Sequence, residues 1–111
     1  MKSLIDINSD MGELKHLLDD STYAEMMQHI TSINVACGGH AGDGDMMLAM
    51  VMMAQERGVK IGAHPSYPDK ENFGRIKIDM TSAAISETIE EQITRLNEIA
   101  SKNSSLLTHV Q

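Results

Sequence analysis

Histidine and aspartate stand together where short apolar runs give way to turns. His40 and Asp43 lie in Asn34-Val35-Ala36-Cys37-Gly38-Gly39-His40-Ala41-Gly42-Asp43, and His64 closes a run ahead of Pro65-Ser66-Tyr67-Pro68-Asp69. Asp10 ends the first apolar stretch and His109 sits in the last. An imidazole and a carboxylate held together can bind a divalent cation or pass a proton, and histidine changes charge near neutral pH. Neither His40-Ala41-Gly42-Asp43 nor His64 before its proline is a tight metal motif, and a histidine at a helix start also serves structural roles. The functional reading rests on their joint placement at successive strand ends, where parallel α/β folds collect reactive groups.

The elements that must position these residues follow from periodicity. Positions 2–8 alternate as a strand, with Ile5 and Ile7 on one side and Leu4, Asp6 and Asn8 on the other. Asp10 continues the polar series toward a turn at Gly12, so Asp6, Asn8 and Asp10 line either a wet strand face or a polar barrel interior. An irregular connection over 13–18 leads to a short helix over 23–29, capped from Asp20, Ser21 or Thr22. A strand is expected over 32–37 and a helix over 46–57, capped by Asp43 or Asp45 and stopped at Gly58. A third strand spans 59–64. The polar loop 65–75 holds both prolines and is long for a mere connection. A helix over 83–102 starts from Thr81 or Ser82, with Ile85, Ile89, Ile93, Leu96 and Ala100 as its apolar stripe. A fourth strand spans 106–110. The order β-α-β-α-β-α-β implies a parallel sheet with right-handed crossovers in one domain over 1–111.

Composition narrows the function. A net charge of -7 argues against a phosphate-backbone ligand, so no nucleic-acid partner is expected. No apolar run is long enough to span a bilayer and the start is not a secretory signal, so no membrane partner is expected. A lone cysteine, Cys37, fits a reducing, cytoplasmic setting and reads as a buried structural thiol rather than a nucleophile. Methionines cluster at Met26–Met27 and Met46–Met53 and read as core. The glycine turn lacks the lysine of a P-loop, whereas Arg75 after Phe73-Gly74 can grip an anion with its guanidinium fork. His16 and His29 receive no role.

The motifs resemble those of the LamB/YcsF family. The resemblance rests on Asp6-Ile7-Asn8-Ser9-Asp10-Met11-Gly12-Glu13, on the 34–43 segment and on 62–69 followed by Phe73-Gly74-Arg75. It covers nearly the whole chain. It implies the first half of a (β/α)7 barrel similar to polysaccharide deacetylases. It also implies ATP-dependent opening of the lactam 5-oxoproline to glutamate together with 5-oxoprolinase subunits B and C. On this resemblance Asp10, His40 and His64 are catalytic, and Asp6, Asn8, Asp43 and Arg75 bind substrate. Related barrels hold a divalent metal on Asp and His, which points to Asp10, His40 and His64 here.

The chain departs from the family pattern in places. Leu14-Lys15-His16 replaces a Gly-Phe-Gly loop, Gly39 stands where many relatives have Phe, and relatives continue well past the strand at 106–110. Two other readings therefore stand beside the first. One is a non-catalytic half-barrel whose open sheet edges pair with another chain, a second copy among them. The other is a metal-dependent deacylase acting on an acetylated sugar.

Overall fold

The computed structural model describes residues 5–111. Four parallel strands form one sheet in the order β1-β2-β3-β4, with β1 Asn8–Met11, β2 Ser32–Ala36, β3 Lys60–His64 and β4 Leu107–Val110. Sequential order in a parallel sheet is the winding of a barrel wall, and it matches the expected α/β architecture. The helices between the strands are α1 Lys15–Asp19, α2 Thr22–Met26, α3 Gly44–Arg57 and α4 Ser82–Lys102.

The first strand sits later than its alternation predicts. It begins at Asn8, and the expected strand positions 2–4 lie outside the described residues. Before the ladder the chain is held by Thr31, whose N–H donates to the Ile7 carbonyl at 2.9 Å while its hydroxyl accepts from Ile7 N–H at 2.8 Å. Regular pairing starts with Asn8 beside Ser32 and runs to Met11 beside Val35. That register buries Met11 completely, so the strand reaches into what the sequence presents as a turn.

The helix expected over 23–29 is α2, shorter and shifted to Thr22–Met26, and the connection expected to be irregular over 13–18 holds a further short helix, α1. Ser21 takes φ 68°, a left-handed conformation that ends α1 and restarts the chain as α2. The Asp20 carboxylate accepts from Thr22 N–H at 3.0 Å and steadies the break. Tyr23 is buried, and its hydroxyl oxygen accepts from the backbone N–H groups of Glu13 and Leu14 at 3.1 and 2.9 Å. One aromatic thus anchors the turn that follows β1.

The larger helices begin and end as their capping residues dictate. Asp43 accepts from Met46 N–H at 2.9 Å and caps α3, and Gly58 closes it in a left-handed conformation. Thr81 caps α4 through Ala84 N–H at 3.1 Å. Met46, Met47, Met50, Val51 and Ala54 of α3 pack on Ile33, Val35, Ile61 and Ala63 of the sheet, with Met27, Leu96 and Ala100 completing the core. Met27, Met46, Met47 and Met50 of the methionine cluster are core and Met53 packs half-buried against it, whereas Met26 and Met52 are exposed. Cys37 belongs to the same core, and burial pushes its thiol up to about 11.

The α3 turn depends on one close approach. Gly42 has φ 83°, and a Cβ there would lie 2.8 Å from the Gly12 carbonyl oxygen and 3.3 Å from that of Ala36. The turn before α3 therefore lies against the backbone of Gly12 and Ala36 with no room for a side chain at position 42.

Two measurements test this packing. Asp43→Ala removes the α3 cap and lowers stability by about 1 kcal/mol in urea melts, whereas Asp43→Ser retains most of it. Cys37 resists alkylation in the folded chain and reacts once the chain is unfolded. From its ordinary value of 9.0 up to about 11, the unfolded chain releases a proton that the folded chain keeps. Stability therefore falls across that pH range, and the fall is shallower in Cys37→Ala.

Candidate functional site

The two faces of the sheet differ in chemistry. Ile33, Val35, Ile61 and Ala63 face α3, while Asn8, Asp10, Ser32 and Asn34 project to the other side. Hydrogen bonds run across that second face. Asn8 Nδ2 donates to Ser32 Oγ at 2.9 Å and to Asn34 Oδ1 at 3.1 Å, and Asn34 Nδ2 donates to Asn8 Oδ1 at 2.6 Å and to Asp10 Oδ1 at 2.9 Å. Asn34 also bonds Gln111, and its Oδ1 accepts from His109 Nε2 at 2.7 Å. The His109 ring lies over Gly62, where any side chain would collide with it. The β3–β4 register shifts at this point, from Ile61 beside Leu107 to Gly62 beside His109. This irregularity re-aims the histidine across the sheet.

At the C-terminal ends of the strands this face opens into a cleft of about 260 Å³, lined by Asp10, Glu13, His40, His64, Ser66 and the Phe73-Gly74-Arg75 segment. His40 is 3% exposed and stands at its centre. Its Nε2 is 2.6 Å from Glu13 Oε2 and its Nδ1 is 3.0 Å from Ser66 Oγ. The Ser66 hydroxyl donates to the Tyr67 carbonyl at 3.0 Å, so its oxygen accepts from His40 Nδ1–H. That directs Nε2 to Glu13, and because a carboxylate only accepts, the 2.6 Å contact holds a further proton between Nε2 and Oε2 in a charge-assisted bond.

His64 is arranged in the same way one strand over. Its Nδ1 lies 3.2 Å from Asp10 Oδ1 and 3.3 Å from Gln111 Oε1. Both partners are acceptors, so Nδ1 carries the proton and Nε2 keeps its lone pair for a ligand. The His40 and His64 ring centroids are 4.8 Å apart, and Phe73 meets His40 edge-on at 4.9 Å.

The loop 65–75 covers His40 because its backbone is pinned. Asp69 N–H donates to the Gly39 carbonyl at 3.0 Å, and Gly74 N–H donates to the Asp69 carbonyl at 2.8 Å. Gly74, at φ 70°, comes so close that a Cβ would lie 3.0 Å from His40 Cβ. Phe73 takes φ 58°, an uncommon conformation outside glycine, of the kind that collects at ligand sites. Arg75 is exposed at the mouth, with its guanidinium carbon 5.9 Å from the Phe73 ring centre.

The residues singled out from the sequence separate into groups. Asp10, His40, His64 and Arg75 meet at the cleft. Asn8 lies one rung below and touches it only through Asn34 and Asp10. Asp6 lies farther down, bonded to the Thr31 and Ser32 hydroxyls, which hold its carboxyl below the usual range. Asp43 is exposed and occupied as the α3 cap, so it does not line the cleft. The carboxylate brought within ligand distance of His40 and His64 is Glu13, not Asp10: ligand atoms of these three residues lie within 4.8 Å of one another. The turn at Gly12, anchored by Tyr23, swings Glu13 in, while Asp10 stands behind His64. Periodicity could not reveal Glu13, because it lies past the strand end. The only sequence signal was its place in the Asp-x-Gly-Glu ending of the first motif.

The donor set fits a divalent ion. Two imidazoles and a carboxylate suit zinc and its neighbours, and Asp10 on the far nitrogen of His64 is the outer carboxylate such sites use.

Comparison with known proteins places the chain in a family. The chain is 45% identical over 92 residues to the A subunit of 5-oxoprolinase from Limosilactobacillus fermentum, covering 83% of this chain and 37% of the relative. It is 43% identical over 108 residues to the A subunit of 5-oxoprolinase from Rhodopseudomonas palustris, covering 96% and 42%. The crystal structure of a lactam utilization protein from Thermus thermophilus superposes with a TM-score of 0.83 at 29% identity, over 96% of this chain and 43% of that one. The chain thus spans less than half the length of these relatives, and its sheet is a partial barrel. The sequence pattern of LamB/YcsF matches residues 5–111, and with the strand-end motifs folded as described, the chain belongs to the LamB/YcsF family.

Proposed function

We propose that this chain carries the N-terminal share of the site of a 5-oxoprolinase A subunit, acting in ATP-dependent hydrolysis of 5-oxoproline to glutamate with partner subunits B and C. The observation that carries the reading is the His40–Glu13 contact of 2.6 Å beside His64, in a chain whose relatives bear that name. Water adds to the lactam carbonyl, the ring C–N bond breaks and the nitrogen takes a proton. The His40–Glu13 pair suits this sequence, since one proton can pass along it to or from a water in the cleft. Ser66 fixes the ring that does so. Arg75 at the mouth matches the carboxylate that 5-oxoproline carries. Need for ATP fits the cytoplasmic setting that the lone thiol suggests.

Glu13, His40 and His64 would hold a divalent ion, with Asp10 orienting His64. A bound ion would supply Lewis-acid polarisation of a carbonyl and an activated water. This set favours a second reading, a metal-dependent deacylase.

Glutamate release from 5-oxoproline, measured for the chain assembled with subunits B and C and ATP, tests the first reading. His40→Ala lowers kcat by about 100-fold or more, and Arg75→Ala acts mainly on KM. A wild-type rate in His40→Ala sinks the assignment. Calorimetric titration with zinc addresses the second reading: binding is expected in the wild-type chain and lost in His64→Ala. Equal heats from both chains rule out the His64 site.

A further inference from the structure

Gln92 of α4 is 8% exposed, a polar side chain on the helix face that otherwise buries Leu96 and Ala100. The apolar stripe of α4 gives it no reason to be there. Its carboxamide instead grips one residue of the neighbouring loop through both backbone groups. Gln92 Oε1 accepts from Ser66 N–H at 3.1 Å, and Gln92 Nε2 donates to the Ser66 carbonyl at 2.8 Å and to Thr88 Oγ1 at 3.2 Å. Ser66 is the residue whose hydroxyl accepts from His40 Nδ1.

Gly39 gives this clamp its room. A Cβ at position 39 would lie 2.6 Å from Gln92 Oε1 and 2.9 Å from its Cδ and Nε2. Gly39 does not have positive φ, so its backbone accepts any residue. The absence of a side chain there is explained by the carboxamide it would strike. The same residue's carbonyl accepts from Asp69 N–H, so the turn holding His40 and the loop holding Ser66 are also joined directly.

We infer that Gln92 is a positioning residue for His40, acting through Ser66. The clamp sets the Ser66 hydroxyl, the hydroxyl fixes His40 with its proton on Nδ1, and Nε2 is thereby presented to Glu13 and the cleft. Gln92 touches no reacting atom. The inference rests on the reading of His40 as a site residue, but its test needs no turnover, so the two can fail separately.

The test is the imidazole nitrogen spectrum of the ¹⁵N-labelled chain, with His64 as internal reference because Asp10 holds it independently of Gln92. The wild-type chain shows His40 protonated at Nδ1. Gln92→Leu, which deletes both bonds to Ser66, and Gly39→Ala, which displaces the carboxamide while leaving Gln92 in place, each lose that pattern at His40. His64 keeps its own in both. A purely structural role for Gln92 would lower the melting temperature without changing the His40 tautomer. If either variant folds and keeps the wild-type His40 pattern, the inference is overturned. Should Gln92→Leu fail to fold, Gly39→Ala decides alone, because alanine fits the backbone of position 39.

Discussion

Asn34 carries a carboxamide into the polar face of the sheet and is 2% exposed. A buried amide left without partners costs one to several kcal/mol, so the groups around it must be supplied from other strands. They come from all sides: Asn8 and Asp10 of β1, His109 of β4 and Gln111 beyond it. This requirement fixes the sheet. A slip of one residue between β1 and β2 would turn Asn8 and Asp10 toward α3 and bring Met11 into the polar face. The same bonds hold Asp10 where it can receive the His64 proton, so the network that sets the register also orients a site histidine.

The opposite face solves a different problem. With few aromatics, the core relies on methionine and small aliphatic side chains between α3 and the sheet. Such a core is adaptable but specifies position weakly. Precision at the cleft comes from polar and backbone contacts instead: the Tyr23 hydroxyl on the Glu13–Leu14 turn, the approach of Gly42 to Gly12, and the pinning of Asp69 to Gly39. The last two join segments far apart in sequence. The cleft is therefore assembled from the ends of β1, β2 and β3 with little help from packing.

Open features of the sheet agree with a partial barrel. Leu106 and Val110 at β4, and Ile5 and Ile7 ahead of β1, are exposed apolar residues at its two edges. In a closed barrel such edges meet further strands. The relatives it matches are more than twice as long, and the similar crystal structure extends well beyond the matched region.

Much of this was legible in the residues alone. Alternation and helical spacing located β2, β3, β4, α3 and α4, because each has a local period and a capping residue that acts within a few positions. Asp43, Gly58 and Thr81 are caps for that reason. The His40 and His64 positions followed from strand ends. Local chemistry could not locate the start of β1, which is set by pairing with β2, nor the short helix α1, which lies in what reads as an irregular connection. The resemblance marked Asp43 for the substrate, while local chemistry marked it as the cap it is. Local chemistry passed over Glu13, Ser66 and Gln92, whose roles exist only through partners 26 or 27 residues away. Residue order was enough for the larger elements, the line of polar residues along β1 and the strand-end histidines. Which carboxylate meets those histidines, and which side chains hold them still, emerged only with the folded chain, because hydrogen bonds between distant segments leave no periodic mark along it.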